Sequence, residues 1–153
     1  MKNIQSVTVV EDVTLISLNG SPADMDIISK VFETISEAGI DVDMISQTPP
    51  HSNRPHLSFT VNGEDLGKIF EISARIRELN PDLKLSISNG NCKISVFGEQ
   101  MRNCPGIAAK VFKAAASVKT DITMITTSEV DISLLIPKKD LDSTVYAITK
   151  VFE

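Results

Sequence analysis

The stretch KVFETISEAGIDVDMISQ, which begins at Lys30, recurs without a gap as KVFKAAASVKTDITMITT, which begins at Lys110. Identical residues in the two copies are offset by 80 positions (110 minus 30), as with Met44 and Met124. Solenoid repeats have periods of roughly 20 to 50 residues, so a repeat this long indicates a whole compact module. The sequence therefore predicts two copies of one small domain.

Hydropathy patterns around both copies predict the order β-α-β-β-α-β, which is a ferredoxin-like arrangement. In the first module, strands are predicted over 13–18, 42–46, 57–61 and 83–87. A helix with apolar positions from Ile27 to Ala38 lies between the first two strands, and a second helix follows Asp65 with the stripe Leu66, Ile69, Phe70, Ser73 and Ile76. In the second module, strands are predicted over 93–97, 122–126 and 131–136, with helices over 105–118 and 141–151.

The second module lacks its final strand, which would leave a sheet edge uncovered. Residues 4–10 form an additional strand-like segment that the first module does not need. If this segment completes the second module, both sheets are whole. The prediction is an α+β fold of two modules in which the first, residues 12–89, is inserted into the second, residues 1–11 plus 90–153, and the N-terminal strand completes the second module.

The charge and the aromatic content argue against a nucleic-acid partner. The formal net charge is −5, whereas neutralising phosphates requires clustered Lys and Arg. The RNA-recognition motif has the same βαββαβ topology, but its middle strands carry aromatic side chains that stack on bases. Here the corresponding strands carry Phe59 alone.

Targeting signals and disulfides are also not predicted. No apolar run approaches the roughly 20 residues of a membrane span, and the N-terminal stretch lacks the apolar region of a signal peptide. We therefore expect a cytoplasmic protein without a membrane partner. In that reducing compartment Cys92 and Cys104 are expected to be free thiols, since they are too few and too far apart for a redox pair or a zinc site.

No constellation of residues predicts a metal, a cofactor or catalysis. His51 and His56 flank Pro55 but lack a third ligand nearby, so no metal site is predicted. Ser128 precedes Glu129, but no histidine lies close to serve as the base of a nucleophile. Phosphate-binding glycine motifs are absent from the sequence as well.

The turn before the first helix of each module is the candidate ligand site. Unpaired amides at a helix N-terminus, together with the helix dipole, favour the carboxylate of an amino acid. In the second module Pro105 suits a first helical position and Gly106 would admit a second backbone. In the first module Asp24 and Asp26 would cap the helix and repel a carboxylate. A tight turn in the second module and plain capping in the first are the alternatives.

Two motifs in the second module resemble the second regulatory ACT domain of aspartate kinases. The family pattern is Gly-Met-Arg, two variable residues, Pro-Gly-(Val/Ile)-Ala-Ala-Lys-(Val/Met)-Phe, and later Met-Ile-Ser-Thr-Ser-Glu-Ile. This chain has Met101-Arg102, then Pro105-Gly106-Ile107-Ala108-Ala109-Lys110-Val111-Phe112, and later Met124-Ile125-Thr126-Thr127-Ser128-Glu129-Val130. The first ACT domain of the family is similar to Lys30-Val31-Phe32 and residues 40–47. The resemblance covers essentially the whole chain.

The first module departs from the family pattern at two places. Before its first helix the family commonly has Asp-Lys/Arg-Pro-Gly, whereas this chain has Ala23-Asp24-Met25-Asp26. His56 stands where Asp is usual before the second central strand. Both differences lie where they would affect a ligand of the first module.

The resemblance implies an allosteric regulatory region that binds lysine or threonine between modules and acts on an aspartate kinase catalytic domain, in cis or in trans, as a homodimer. The catalytic domain is absent from the sequence, so the chain alone is not expected to be an enzyme. Asp26 or Asp43 could meet a side-chain ammonium, which favours lysine. The effector contacts carried over are Asp26, Ile27, Ile28, Asp43, Gln47, Asp121, Ile122 and Ser128.

Two other functions stay open at this point. One is a stand-alone ACT subunit, such as the separately translated small subunit of some aspartate kinases, and a start at Met1 so close to the crossover strand permits this. The other is an ACT-type dimerisation module that has lost its ligand.

Overall fold

A computed structural model describes residues 3–20, 24–49 and 56–153. Over these residues the chain is an α+β protein, as predicted. Its helices are α1 (Met25–Glu37), α2 (Leu66–Leu79), α3 (Ile107–Ser117) and α4 (Leu141–Phe152). Its strands are β1 (Ser6–Asn19), β2 (Val42–Gln47), β3 (His56–Asn62), β4 (Lys84–Phe97), β5 (Met124–Thr127) and β6 (Asp131–Pro137).

Two of the strands are much longer than the sequence pattern indicates. The segments predicted at 4–10 and 13–18 form the single strand β1, and those predicted at 83–87 and 93–97 form the single strand β4. Asp12 and Gly90, with φ of 54° and 71°, lie within these strands. One left-handed residue deflects a strand locally without ending its hydrogen-bonding ladder. The polar interruptions in the sequence are therefore bends within strands.

The described chain clusters into two compact units. The first unit is residues 12–89, and the second unit is residues 1–11 together with residues 90–153. Both β1 and β4 contribute one half to each unit.

In the first unit the strand order is β2-β3-β1-β4, and β3 pairs antiparallel with both of its neighbours. Alternate residues of β1 and β3, such as Ile16 and Phe59, are fully buried against α1 and α2. The ring of Phe32 on α1 packs on Phe59 at a centroid distance of 5.5 Å. This core fixes α1 on one face of the sheet.

The helix α2 buries a different stripe from the predicted one. Phe70 is 59% exposed, whereas Ile72 is buried with Ile69 and Ile76. The buried positions are thus spaced by three and four residues, which is the spacing of one helical face. The prediction placed Phe70 in the core because of its hydrophobicity, although its position in the sequence is one residue off that face.

In the second unit the strand order is β1-β4-β6-β5, and α3 and α4 cover the core. Ile94 and Leu134 are fully buried in this core. The N-terminal segment lies against the end of β4, where the Gln5 amide donates to the Phe97 carbonyl at 2.8 Å. A Cβ on Gly98 would lie only 2.0 Å from the carbonyl oxygen of residue 3, so only glycine fits at this crossing.

Candidate functional site

The helix α3 begins without a side-chain cap. Its N-cap residue is Gly106, which has φ of 96° and accepts from the Lys110 amide at 3.1 Å through its carbonyl. Glycine adopts this left-handed conformation at little cost, and it offers no side-chain oxygen to the first-turn amides. The amides from Ile107 to Ala109 therefore point out of the helix end with no side-chain acceptor.

One expectation about this turn is wrong. Pro105 is not at the first helical position, because the helix begins at Ile107 and Gly106 is the N-cap. A Cβ on Gly106 would meet no atom of this chain within 4 Å, so the approach of a second backbone to Gly106 stays a prediction. The requirement for glycine comes from its positive φ.

A cavity of about 220 Å³ lies at this end of α3. One wall is formed by Gly106, Ile107 and Ala108, and another by Ser128 and Glu129 of the β5–β6 turn. The turn is held in place because the Ser128 amide donates to the carbonyl of residue 131 at 2.9 Å. The cavity thus combines the uncapped start of a helix with the carboxylate of Glu129 and with the Ser128 hydroxyl, which accepts from the Val130 amide at 3.3 Å.

An ion pair joins the rim of this cavity to the loop before α3. Arg102 Nη1 lies 2.5 Å from Glu129 Oε2, and the two side chains are 54% and 70% exposed. Exposed pairs of this kind stabilise a protein by only about 0 to 1 kcal/mol. Glu129 can therefore exchange Arg102 for the ammonium of a ligand with little loss of stability.

The N-terminus of α1 is capped, in contrast to that of α3. Asp24 Oδ1 accepts from the Asp26 amide at 2.9 Å, which confirms the capping interpretation of Asp24. The amides of Ile27 and Ile28 both donate to the Asp24 carbonyl at 3.1 Å. The three amides that the sequence offered to a ligand carboxylate are thus already engaged, and a carboxylate would have to displace Asp24. Residues 21–23 of the preceding loop lie outside the described residues.

The other predicted residues of the first unit lie on β2. Gln47 is the last residue of this strand and is exposed. Gln47 lies opposite Leu57 of β3, and Leu57 lies opposite Leu18 near the end of β1. Since β1 leads toward α1 from this end, Gln47 and the start of α1 lie at the same end of the first unit. Asp43 is four residues earlier, which at about 3.3 Å per residue places it about 13 Å away, toward the other end.

The predicted residues of the second unit are likewise divided. Asp121 and Ile122 precede β5, whereas Ser128 follows it. The Asp121 amide donates to Asp140 Oδ2 at 3.1 Å, and Ile122 is partly buried against the core of the second unit. Of these three residues Ser128 lines the cavity at the start of α3.

The sequence interpretation considered the α3 turn but did not choose Glu129 as a binding residue. Glu129 was named only within the family motif and beside Ser128, where a nucleophile was excluded for want of a histidine. The signal that could have identified this site is the lack of Ser, Thr, Asp or Asn at the N-cap position of Gly106.

Both cysteines are free thiols, which confirms that expectation. Burial raises the pKa of the Cys92 thiol, the nearby carboxylate of Glu11 raises it further, and Lys138 lowers it. Cys104 is partly buried and accepts from Asn3 Nδ2 at 2.8 Å. Neither thiol is paired with the other.

The described residues contain no group of three or more His, Cys, Asp or Glu side chains arranged to hold a metal ion. His51, one of the two histidines weighed for such a site, lies outside the described residues. Over residues 3–20, 24–49 and 56–153, no helix has the length and apolar character needed to traverse a bilayer.

A family model described as ACT domain matches residues 94–152. The aspartokinase of Pseudomonas aeruginosa is 32% identical over 151 residues, and the match covers 98% of this chain and 36% of that protein. The aspartokinase of Thermus thermophilus is 35% identical over 161 residues, with 99% of this chain and 38% of that protein covered. The chain therefore spans little more than a third of the length of these curated relatives.

Two solved structures extend the likeness to three dimensions. The regulatory subunit of aspartate kinase from Thermus thermophilus, in a ligand-free form, has a TM-score of 0.88 and 32% identity, covering 99% of this chain and 100% of that one. The regulatory subunit from Thermus flavus also has a TM-score of 0.88, with 33% identity and the same coverage. The similarity thus extends over the full length of both regulatory subunits.

Proposed function

The chain belongs to the family of regulatory ACT domains of aspartate kinases, and from this premise we propose that it senses a free amino acid and regulates an aspartate kinase catalytic domain. The part of the relatives that it matches is the regulatory part, so these 153 residues do not include their catalytic region. Regulation is thus the function to be explained.

The observation that supports this proposal best is the uncapped start of α3 beside a small cavity. The carboxylate of an amino acid would accept from the amides of Ile107 to Ala109, where the positive end of the helix dipole also favours it. Its ammonium would pair with Glu129, and Ser128 would offer a hydroxyl. A volume of about 220 Å³ is below the roughly 300 to 1,000 Å³ of sites for drug-sized ligands, which suits a single amino acid.

The proposed effectors are lysine and threonine. Lysine is the preferred candidate on the sequence argument that Asp26 or Asp43 could meet its side-chain ammonium. The remaining contacts, Ile27, Ile28 and Gln47 of the first unit and Asp121 and Ile122 of the second, are proposed from the family resemblance. For the amides of the first unit, binding would require Asp24 to give up its capping hydrogen bonds.

The proposed mechanism is a population shift. An effector that binds one quaternary arrangement of a homodimer more tightly shifts the protein toward that arrangement. Coupling energies between allosteric sites are typically about 1 to 3 kcal/mol, which corresponds to roughly 5- to 150-fold changes in affinity. The catalytic domain would receive this signal in cis or in trans. Two similar structures were solved as separate regulatory subunits. A regulatory subunit that acts in trans is therefore as well supported as a regulatory region within a longer polypeptide.

We further propose that the two units are two ACT domains, with the first, residues 12–89, inserted into the second, residues 1–11 plus 90–153. The division of the described chain into compact units at these boundaries supports this arrangement. The hydrogen bond from Gln5 to Phe97 supports the part of it in which the N-terminal strand completes the second domain.

Isothermal titration of the purified chain with lysine and then with threonine tests the function. Saturable binding of either is expected, and because the ligand binds the folded state, a concentration of 100 times Kd should stabilise that state by about 2.7 kcal/mol. The variant Glu129→Gln should bind at least tenfold more weakly. The matched control is Glu37→Gln, which alters a similarly exposed ion-paired glutamate, 66% exposed and 3.0 Å from Arg75.

The possible results separate the proposal from its alternative. Binding that Glu129→Gln and Glu37→Gln leave equally intact would move the ligand away from the α3 cavity. No binding of either amino acid by a folded dimer would refute the sensor and favour a dimerisation module that has lost its ligand.

A further inference from the structure

Each unit contains a short chain of side-chain hydrogen bonds that runs across two neighbouring strands. In the second unit, Ser95 of β4 lies opposite Ser133 of β6, and their hydroxyl oxygens are 3.1 Å apart. The Ser133 hydroxyl in turn donates to Asp131 Oδ2 at 2.6 Å. This hydrogen-bond chain therefore ends on the carboxylate of Asp131, which lies two residues before Ser133 in the sequence.

The first unit repeats this arrangement with one change of chemistry. Ser17 of β1 lies opposite Ser58 of β3, with hydroxyl oxygens 3.2 Å apart. The Ser58 hydroxyl is 2.5 Å from Nε2 of His56, again two residues before the central serine. His56 therefore takes the structural place that Asp131 has in the other unit.

In the second unit the Asp131 carboxylate fixes which hydroxyl donates in each hydrogen bond. An ionised carboxylate can only accept hydrogen bonds, so Ser133 must donate to Asp131. The oxygen of Ser133 is then available to accept from Ser95. The direction from Ser95 through Ser133 to Asp131 holds at every pH at which the carboxylate is ionised.

An imidazole does not fix the direction. In neutral imidazole one ring nitrogen accepts, so Nε2 of His56 can take the proton of the Ser58 hydroxyl. In imidazolium both nitrogens donate, so Ser58 must accept from His56 and turn its own proton toward Ser17. Protonation of one ring thus reverses both hydrogen bonds of the chain.

Among the described residues, the neighbours of His56 leave its protonation state to set this direction. Ser58 is only 3% exposed, so its hydroxyl cannot simply rotate into water. From β1 the residue opposite His56 is Asn19. After β2, Thr48 donates its amide to the His56 carbonyl at 2.9 Å and accepts from the His56 amide at 2.8 Å. These neighbours are uncharged, and within the described residues no carboxylate or ammonium forms an ion pair with His56.

We propose that His56 makes the first unit responsive to pH by reversing the hydrogen-bond chain from His56 through Ser58 to Ser17, whereas Asp131 leaves the second unit unresponsive. Histidine is the residue type that ordinarily changes charge between about pH 5 and 8. These hydrogen bonds lie near Asn19, where β1 ends and the polypeptide continues toward α1. Protonation therefore acts at the end of the first unit that also carries Gln47 and the start of α1.

Nuclear magnetic resonance of the His51→Asn variant tests the proposal, because His56 is then the only histidine. At high pH the ring should be the Nδ1–H tautomer, since Nε2 accepts from Ser58. As pH falls through the titration of the ring, the amide and Cβ signals of Ser17 and Ser58 should shift with the same midpoint. Those of Ser95 should not.

Two further variants keep the test decisive. Adding His56→Asp should abolish the shifts of Ser17 and Ser58 over this pH range, because a carboxylate fixes the direction. Adding Ser58→Ala instead should leave the ring titrating while Ser17 no longer follows it. An Nε2–H tautomer at high pH, or Ser17 signals that ignore the ring when Ser58 is present, would overturn the proposal.

No effector is needed in these measurements, so they are independent of the proposed function. The regulatory consequence rests on that function and on the contacts proposed at the first unit, Gln47 and the start of α1: if an effector touches them, its affinity should differ between pH 5.5 and pH 8, and His56→Asp should remove the difference. An affinity that does not vary with pH, in a chain whose ring titrates as described, would refute regulation by His56 and leave amino-acid sensing intact.

Discussion

Two threonines on neighbouring strands of the first unit should respond in opposite ways to the same substitution. Thr14 of β1 and Thr60 of β3 are both completely buried. Thr60 Oγ1 accepts from the Met44 amide at 3.0 Å, whereas Thr14 Oγ1 has no hydrogen-bond partner among the described residues. Valine has nearly the same shape as threonine but carries a methyl in place of the hydroxyl.

The magnitudes follow from the partners. A buried polar group without a partner destabilises a protein by about 1 to 3 kcal/mol, and a buried methyl group stabilises it by about 0.8 kcal/mol. Thr14→Val removes the unpaired hydroxyl and adds the same buried methyl, so the free energy of unfolding should rise by about 2 to 4 kcal/mol. Thr60→Val leaves the buried amide of Met44 unpaired, while the added buried methyl group offsets part of that loss. The free energy of unfolding should therefore fall by about 1 kcal/mol.

Urea unfolding of the two variants beside the parent chain measures the difference. Both threonines lie in the first unit, so one cooperative transition reports on both, even if the two units unfold separately. The midpoints should move in opposite directions with an unchanged slope. A Thr14→Val variant that is no more stable than the parent would refute the reasoning, because the hydroxyl would then have a partner such as a buried water.

Four further predictions concern the second unit. Gly98→Ala places a methyl 2.0 Å from the Asn3 carbonyl oxygen, so the urea midpoint should fall by an amount equivalent to about 1 to 3 kcal/mol; an unchanged midpoint would refute the close crossing. Gly106→Ala should destabilise by about 1 to 2 kcal/mol through its left-handed φ alone, and Gly106→Asn by less; equal losses would contradict a conformational cause. Because the folded state holds the Cys92 proton more tightly than the unfolded state, stability should fall as pH rises above about 8.5, and a Cys92→Ala variant with the same slope would contradict this. A thiol reagent should also label Cys104 before Cys92.

The class of fold could be predicted from the sequence because the repeat and the hydropathy periods agree. The buried face of α1, with Val31 and Ile35, follows helical spacing, and the central residues of β3 are continuously buried. What the pattern could not show is that β1 and β4 are continuous. A single left-handed residue such as Asp12 is local backbone geometry, and in sequence it has the same polar signature as a turn.

The candidate site was only partly predictable. The family motif drew attention to Ser128, and helix-end chemistry drew attention to both turns. Which helix end is open depends on whether a side chain caps it, and here Asp24 caps α1 while Gly106 leaves α3 uncapped. The contribution of Glu129 depends on the β5–β6 turn folding back beside α3, which is a tertiary contact that no local pattern encodes.

The amide spectrum of the whole chain, recorded while lysine and then threonine are added, tests the central claim most directly. Saturable shifts are expected in the amides of Ile107 to Ala109 and of Ser128 for at least one of the two amino acids. Shifts confined to the amides of residues 26–28 would contradict the placement of the carboxylate at α3. Spectra that neither amino acid changes, from a chain that is folded, would contradict the claim that these residues sense an amino acid.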